Sequence, residues 1–216
     1  MLDRERELVA AAARRLADEG LVLGTAGNVS ARSGQLVAVT PTGAVLERVV
    51  ADDVAVVDLD GTQVDGGLAP TSELGLHLGV YQRYDAGAVV HTHSPVATAL
   101  ACVLDELPVV HYTMLALGGA IRVARYATFG TPELAQVTLD ALEGRSAALM
   151  SNHGTIAHGV DLEGAIQSAL LLEWASNVYW RAAALGAPRV LDQEQLNAVI
   201  DAVSVRGYGA PQGEQA

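Results

Sequence analysis

At 216 residues, half of them hydrophobic and 18% charged, the chain can bury a substantial core, and its composition excludes extended disorder. A formal net charge of −12 excludes a general nucleic-acid or acidic-membrane surface, because such partners reward clustered cationic side chains. No apolar run is long enough to span a bilayer, Cys102 has no second cysteine to pair with, and the first residues lack the apolar core of a signal peptide, so a cytoplasmic setting is expected.

In chain order, the first element is an amphipathic helix: Leu8, Val9, Ala12 and Leu16 recur at helical spacing between Asp3 and Glu19, and Gly20 follows as its stop. Thr25 to Asn28 is turn-rich, and Leu36 to Val39 is a short strand ending at Pro41, Thr42 and Gly43. Val54 to Leu59 is a further strand, and Asp60-Gly61 has the chemistry of a tight hairpin turn. Thr71 and Ser72 are N-cap types ahead of a helix with Leu74, Leu78 and Tyr81 on one face, which puts Glu73 in its first turn.

Ala86 to Val90 suits a buried strand running into His91 and His93, and Ser94-Pro95 then reads as an N-cap and a first helical residue. A second buried strand, Ala147 to Met150, delivers Asn152, His153 and Gly154. Asp161 caps a long helix to about Leu185, with Gly186 as its stop. Several strands are joined by hairpin-length turns, which favours an α/β fold with a mixed, mainly antiparallel central sheet flanked by helices over a doubly wound parallel sheet. One domain over residues 1–208 and a flexible tail over 209–216 are expected.

Side chains alternate along a strand, so His91 and His93 project to the same side and can bite one ion. An isolated His-x-His is weak support for a metal. A third imidazole from the end of another strand, His153, would complete the three-ligand set of catalytic zinc and leave one position for water or substrate. His77, His111 and His158 read as ordinary packing or hydrogen-bonded residues, and His77, four residues after Glu73, as a support rather than a ligand.

Glu73 alone would read as a helix-dipole residue. Three clusters change that balance: Thr25 with Asn28, Thr42 with Gly43, and Thr71 with Ser72. Together their hydroxyl, amide and glycine groups resemble a phosphate cradle made without basic residues. Beside such a cradle and a metal, Glu73 becomes the candidate acid/base carboxylate.

The ordered set Gly24-Thr-Ala-Gly-Asn-Val-Ser30, Thr40-Pro-Thr-Gly43, Ser72-Glu73, Ala88-Val-Val-His-Thr-His93, His111-Tyr112, Gly118-Gly119, Tyr126-Ala-Thr-Phe-Gly130 and His153-Gly154 resembles the class II aldolase/adducin family nearly end to end. The resemblance implies a three-layer αβα fold and a reversible, metal-dependent cleavage of a ketose 1-phosphate, L-fuculose 1-phosphate or a similar deoxy-ketose phosphate, into dihydroxyacetone phosphate and a short aldehyde such as lactaldehyde.

Carried over position by position, His91, His93 and His153 would hold one Zn2+ per subunit, and Glu73 would ligate the empty metal and then act as base. Thr25, Asn28, Thr42, Gly43, Thr71 and Ser72 would bind the phosphate. Tyr112 would exchange a proton in the neighbouring subunit's site, which implies a homotetramer with its sites at subunit interfaces. Phe129 and Tyr208 would shape the aldehyde end. Thr71 stands where the nearest relatives carry serine, and Leu74 where they carry a large aromatic, so the sugar stays open. The alternatives are an aldolase for 5-deoxypentulose phosphates, a ribulose-phosphate 4-epimerase, a dehydratase or a decarboxylase of the same family, and a non-catalytic adducin-like interaction module.

Overall fold

Among the described residues, alternating apolar residues and short turns build nine strands: β1 (Asn28–Ser33), β2 (Leu36–Val39), β3 (Ala55–Asp58), β4 (Gln63–Asp65), β5 (Ala88–Thr92), β6 (Glu106–Leu107), β7 (Ile121–Ala124), β8 (Ala147–Met150) and β9 (Gly154–Gly159). Six α-helices accompany them: α1 (Asp3–Asp18), α2 (Leu74–Arg83), α3 (Pro95–Ala101), α4 (Pro132–Ala141), α5 (Leu162–Leu185) and α6 (Gln193–Arg206). These coordinates are a computed structural model that describes residues 1–206; Tyr208 and the expected tail at 209–216 lie outside the described residues.

The strands form one sheet in the order β4-β3-β2-β1-β5-β9-β8-β7-β6, and β7–β8 is its parallel pair among antiparallel neighbours. The expected mixed, mainly antiparallel sheet is therefore found. Two apolar layers sandwich it. Helices α1, α3 and α5 cover one face through Val9, Ala13, Ala97, Ala169 and Leu172, and α2 and α4 cover the other through Leu76, Val80 and Leu134. Strand alternation divides the side chains between them: Ala88 and Val90 of β5 join the first layer and Val89 the second. His91 follows Val89 two residues on, and so falls on the α2 side.

Local chemistry departs from expectation at two helix starts. Helix α2 begins at Leu74, one residue later than the pattern predicts, and Glu73 occupies its N-cap position with φ −98° and no side-chain cap bond. Thr71 and Ser72 precede the cap, and the Thr71 hydroxyl accepts the Glu73 backbone N–H instead. The Glu73 carboxylate is held by other side chains, so it does not cap. At α3, Ser94 is the N-cap residue but makes no cap bond. Its role passes to Glu173 of α5, whose carboxylate accepts the N–H groups of Val96 at 3.0 Å and Ala97 at 2.8 Å. Asp161 caps α5 as expected, accepting the Gly164 N–H at 2.8 Å.

Candidate metal centre and substrate cleft

Three histidines converge where β5 ends beside the β8–β9 turn. His91 is the penultimate residue of β5, His93 lies one residue beyond the strand, and His153 sits in the turn. Asn152 makes that turn possible by adopting the left-handed conformation at φ 53°, which asparagine tolerates better than most residues. Gly154 is required by close approach, because a Cβ there would lie 2.3 Å from the Thr92 carbonyl oxygen and 3.2 Å from the His93 ring.

The three rings stand nearly perpendicular to one another, with centroids 4.8, 4.9 and 5.0 Å apart. One nitrogen from each lies within 4.8 Å of the others. Of these, His91 Nε2 and His93 Nε2 are 3.0 Å apart. Such spacing is close to what two metal–nitrogen bonds of about 2.0–2.1 Å enforce. His91 donates from Nδ1 to the Thr155 carbonyl at 2.8 Å, which turns Nε2 toward the cluster.

Glu73 completes the group. Its Oε2 lies 3.0 Å from His91 Nε2 and its Oε1 3.5 Å from His153 Nε2, yet Oε1 is buried without a hydrogen bond. An orphaned carboxylate oxygen facing three imidazoles is a donor set that could hold a divalent first-row cation. Burial pushes the Glu73 carboxyl upward, but the His91 bond and charge, the His153 charge and the Asn28 bond outweigh it, so the group is held below the usual carboxylate range. Burial, aided by His91, pushes His93 down to about 4, and the same causes lower His153. Both rings are therefore neutral at neutral pH, the form in which imidazole can bind a metal.

In front of the cluster lies a cleft of about 380 Å³. Thr25, Asn28, Thr42, Gly43, Thr71, Ser72, Glu73, His93, Phe129 and His153 all line it, so the structure brings together sequence-predicted residues from six separate segments. No arginine lines it, and the 216 residues contain no lysine. Gly27 lets the chain pass beside His91: a Cβ there would lie 2.9 Å from the His91 carbonyl oxygen.

Three predicted site residues do not line the cleft, and one of them, His91, is fully buried within the histidine cluster. Tyr112 lies in a 3-10 turn (Tyr112–Leu117), stacks on His111 with centroids 4.5 Å apart, and lines a separate groove with Leu171, Val199 and Val203. Tyr208 falls outside the described residues. Conversely, Tyr126 and Asn152 line the cleft without having been singled out. Asn152 carried a signal, an asparagine immediately before His-Gly, while Tyr126 is exposed and had none beyond its place in the Tyr126–Gly130 motif.

His77 is fully buried and lies outside the three-histidine group; it bonds Ser30 and Asn28. His158 stacks on Tyr84 and hydrogen-bonds the Arg145 carbonyl, away from the cleft.

A sequence profile of the Class II Aldolase and Adducin N-terminal domain matches residues 7–180. The chain is 39% identical over 201 residues to the 5-methylthioribulose-1-phosphate/5-deoxyribulose-1-phosphate aldolase of Rhodospirillum rubrum, covering 92% of this chain and 90% of that one. It is 36% identical over 212 residues to the 5-deoxy-D-ribulose 1-phosphate aldolase of Bacillus thuringiensis serovar kurstaki, covering 97% and 99%. Among solved structures, an L-fuculose 1-phosphate aldolase superposes with a TM-score of 0.88 at 35% identity, covering 93% of this chain and 96% of that one.

Proposed function

Because this chain belongs to the class II aldolase/adducin family, we propose that it is a metal-dependent aldolase that reversibly cleaves a deoxy-ketose 1-phosphate to dihydroxyacetone phosphate and a short aldehyde. The observation that carries this reading is the convergence of His91, His93, His153 and the unpaired Glu73 Oε1 at one end of a cleft lined by hydroxyls and amides. Aldol cleavage needs an electron sink at the ketose carbonyl. A chain without lysine has no side-chain amine to form a Schiff base there, which leaves the metal route. A divalent cation held by the three histidines would supply a Lewis acid where negative charge develops on substrate oxygen.

The protein's own groups supply the rest. Thr25, Asn28, Thr42, Gly43, Thr71 and Ser72 would hold the phosphate through hydroxyl, amide and backbone N–H donors, in a chain whose net charge of −12 makes a locally built anion site necessary. Glu73 would take up and return the proton on carbon through Oε1. Phe129 and Tyr126, both exposed at the cleft mouth, would face the deoxygenated end of the substrate, with Tyr208 from beyond the described residues. Tyr112, distant from this cleft, would exchange a proton in the site of a neighbouring copy, and so the reading includes a homotetramer.

Two of the relatives act on 5-deoxypentulose 1-phosphates and align over 90% or more of both chains. That favours 5-deoxyribulose 1-phosphate or its 5-methylthio analogue over L-fuculose 1-phosphate. The test is a panel of ketose phosphates, these three with ribulose 5-phosphate, with dihydroxyacetone phosphate release as readout. Release from a ketose 1-phosphate, lost on chelation and restored by Zn2+, Co2+ or Mn2+, is the expected result. No release from any member with any of these ions would overturn the aldolase reading, and isomerised ribulose 5-phosphate would replace it with an epimerase.

A further inference from the structure

Helix α2 meets strand β1 on one face of the sheet through an unusual set of side chains. The helix presents Glu73 at its cap, then His77 and Tyr81 at successive four-residue steps, one above another on the buried side. The strand presents Asn28 and Ser30, two apart, opposite His91 and Val89 of β5. Their polar atoms form a single line. Tyr81 Oη lies 2.6 Å from Ser30 Oγ, and Ser30 Oγ 2.7 Å from His77 Nδ1. His77 Nε2 meets Asn28 Oδ1, and Asn28 Nδ2 lies 3.1 Å from Glu73 Oε2.

The chemistry of the end group fixes the polarity of the line. An ionised carboxylate only accepts, so Asn28 must turn its NH2 to Glu73 and its oxygen to His77. His77 therefore donates from Nε2 and accepts at Nδ1. The Ser30 hydroxyl supplies that proton, which leaves Tyr81 as donor to Ser30. Reversing the His77 tautomer would set its bare Nε2 against Asn28 Oδ1. Relief by flipping the amide would then set the amide oxygen against Glu73. Five polar side chains in a dry layer cost more than apolar ones of similar size would, which argues for a role beyond packing.

We propose that Tyr81, Ser30 and His77 are positioning residues: they lock one His77 tautomer, through it the orientation of the Asn28 amide, and so hold Glu73 by Oε2 with Oε1 left unpaired beside His153. The consequence for catalysis rests on the reading of Glu73 as the base. The lock itself does not. Asn28 keeps one amide hydrogen for a phosphate, so one side chain would link the phosphate end of the cleft to the base.

The test combines nitrogen NMR of the ring of His77 in Zn2+-loaded, 15N-histidine-labelled protein with deuterium exchange into dihydroxyacetone phosphate. The expected result is a wild-type His77 protonated at Nε2 alone. Ser30→Ala should give mixed His77 tautomers and exchange slowed about 10- to 100-fold at unchanged bound zinc. Tyr81→Phe, which leaves Ser30 able to donate, should shift both readouts the same way by less, and it serves alone if Ser30→Ala does not fold. A wild-type ring protonated at Nδ1, or variants that keep the wild-type tautomer or exchange rate, would overturn the proposal. If zinc-loaded wild-type protein exchanges no deuterium, Glu73 is not the base, and the NMR readout still decides whether the lock exists.

Discussion

The two helical layers meet the same sheet on different terms. On one side, α1, α3 and α5 touch it mainly through alanine, valine, leucine and isoleucine, with Ala13, Ala97, Ala165 and Leu172 at zero exposure. On the other, α2 buries Glu73, His77 and Tyr81 against Asn28, Ser30 and His91. Apolar contacts of the first kind stabilise by area removed from water, and tolerate small rearrangements. A buried polar line tolerates none, because each unmatched group costs the full loss of hydration. The difference assigns stability to one face and chemistry to the other, and it can be broken from either side.

The largest effect is expected at the metal end. Glu73→Gln should keep bound Zn2+, through the three histidines, while deuterium exchange into dihydroxyacetone phosphate falls about 10²- to 10⁴-fold, the usual contribution of a positioned base. Metal analysis alongside the exchange assay separates the two. A variant that exchanges at the wild-type rate would remove Glu73 from the chemistry. On the opposite face, Leu172→Ala should cost about 2–5 kcal/mol in urea unfolding, as a cavity does in a well-packed core, with kcat changed little. If activity instead fell in step with stability, the division between the faces would not hold.

How much of this was legible follows the same division. Where burial is apolar, period and length are visible: α1, β2, β3, β8 and α5 stand within a residue or two of the pattern, since Leu36–Val39 and Ala147–Met150 are apolar at every position. Strand β1 was not legible as a strand, because Asn28 and Ser30 occupy the inward positions where the pattern looks for valine. The same substitution of polar for apolar hid the role of His77, which reads as an ordinary helical histidine until Ser30 and Asn28 are placed opposite it. His-Thr-His could be read because a two-residue spacing on a strand fixes a shared face without any tertiary knowledge. The Glu73 cap position could not, since its carboxylate answers to residues 18 to 80 positions away in the chain: His91, Asn28 and His153.

The smallest effect tests the polar face by its proton balance. Burial, with His91 nearby, pushes His77 down to about 3, against about 6.5 in an unfolded chain. Between those values the unfolded chain binds a proton that the folded one refuses, so stability rises with pH across the window. Its full contribution is present above about 6.5 and drains away as pH falls toward 3. For one such group, moving from pH 7.5 to 5.5 should cost about 1 kcal/mol. His93, His153 and His158 are displaced in the same direction, and the carboxylates titrate lower, so metal-free wild-type protein carries a steeper slope than any one histidine gives. His77→Gln removes one share. Urea midpoints of both metal-free proteins at the two pH values should show the variant losing about 1 kcal/mol less than wild type. Equal losses would mean that His77 takes up its proton in the folded state as readily as in the unfolded one, and that the α2 face is wetter than its hydrogen bonds require.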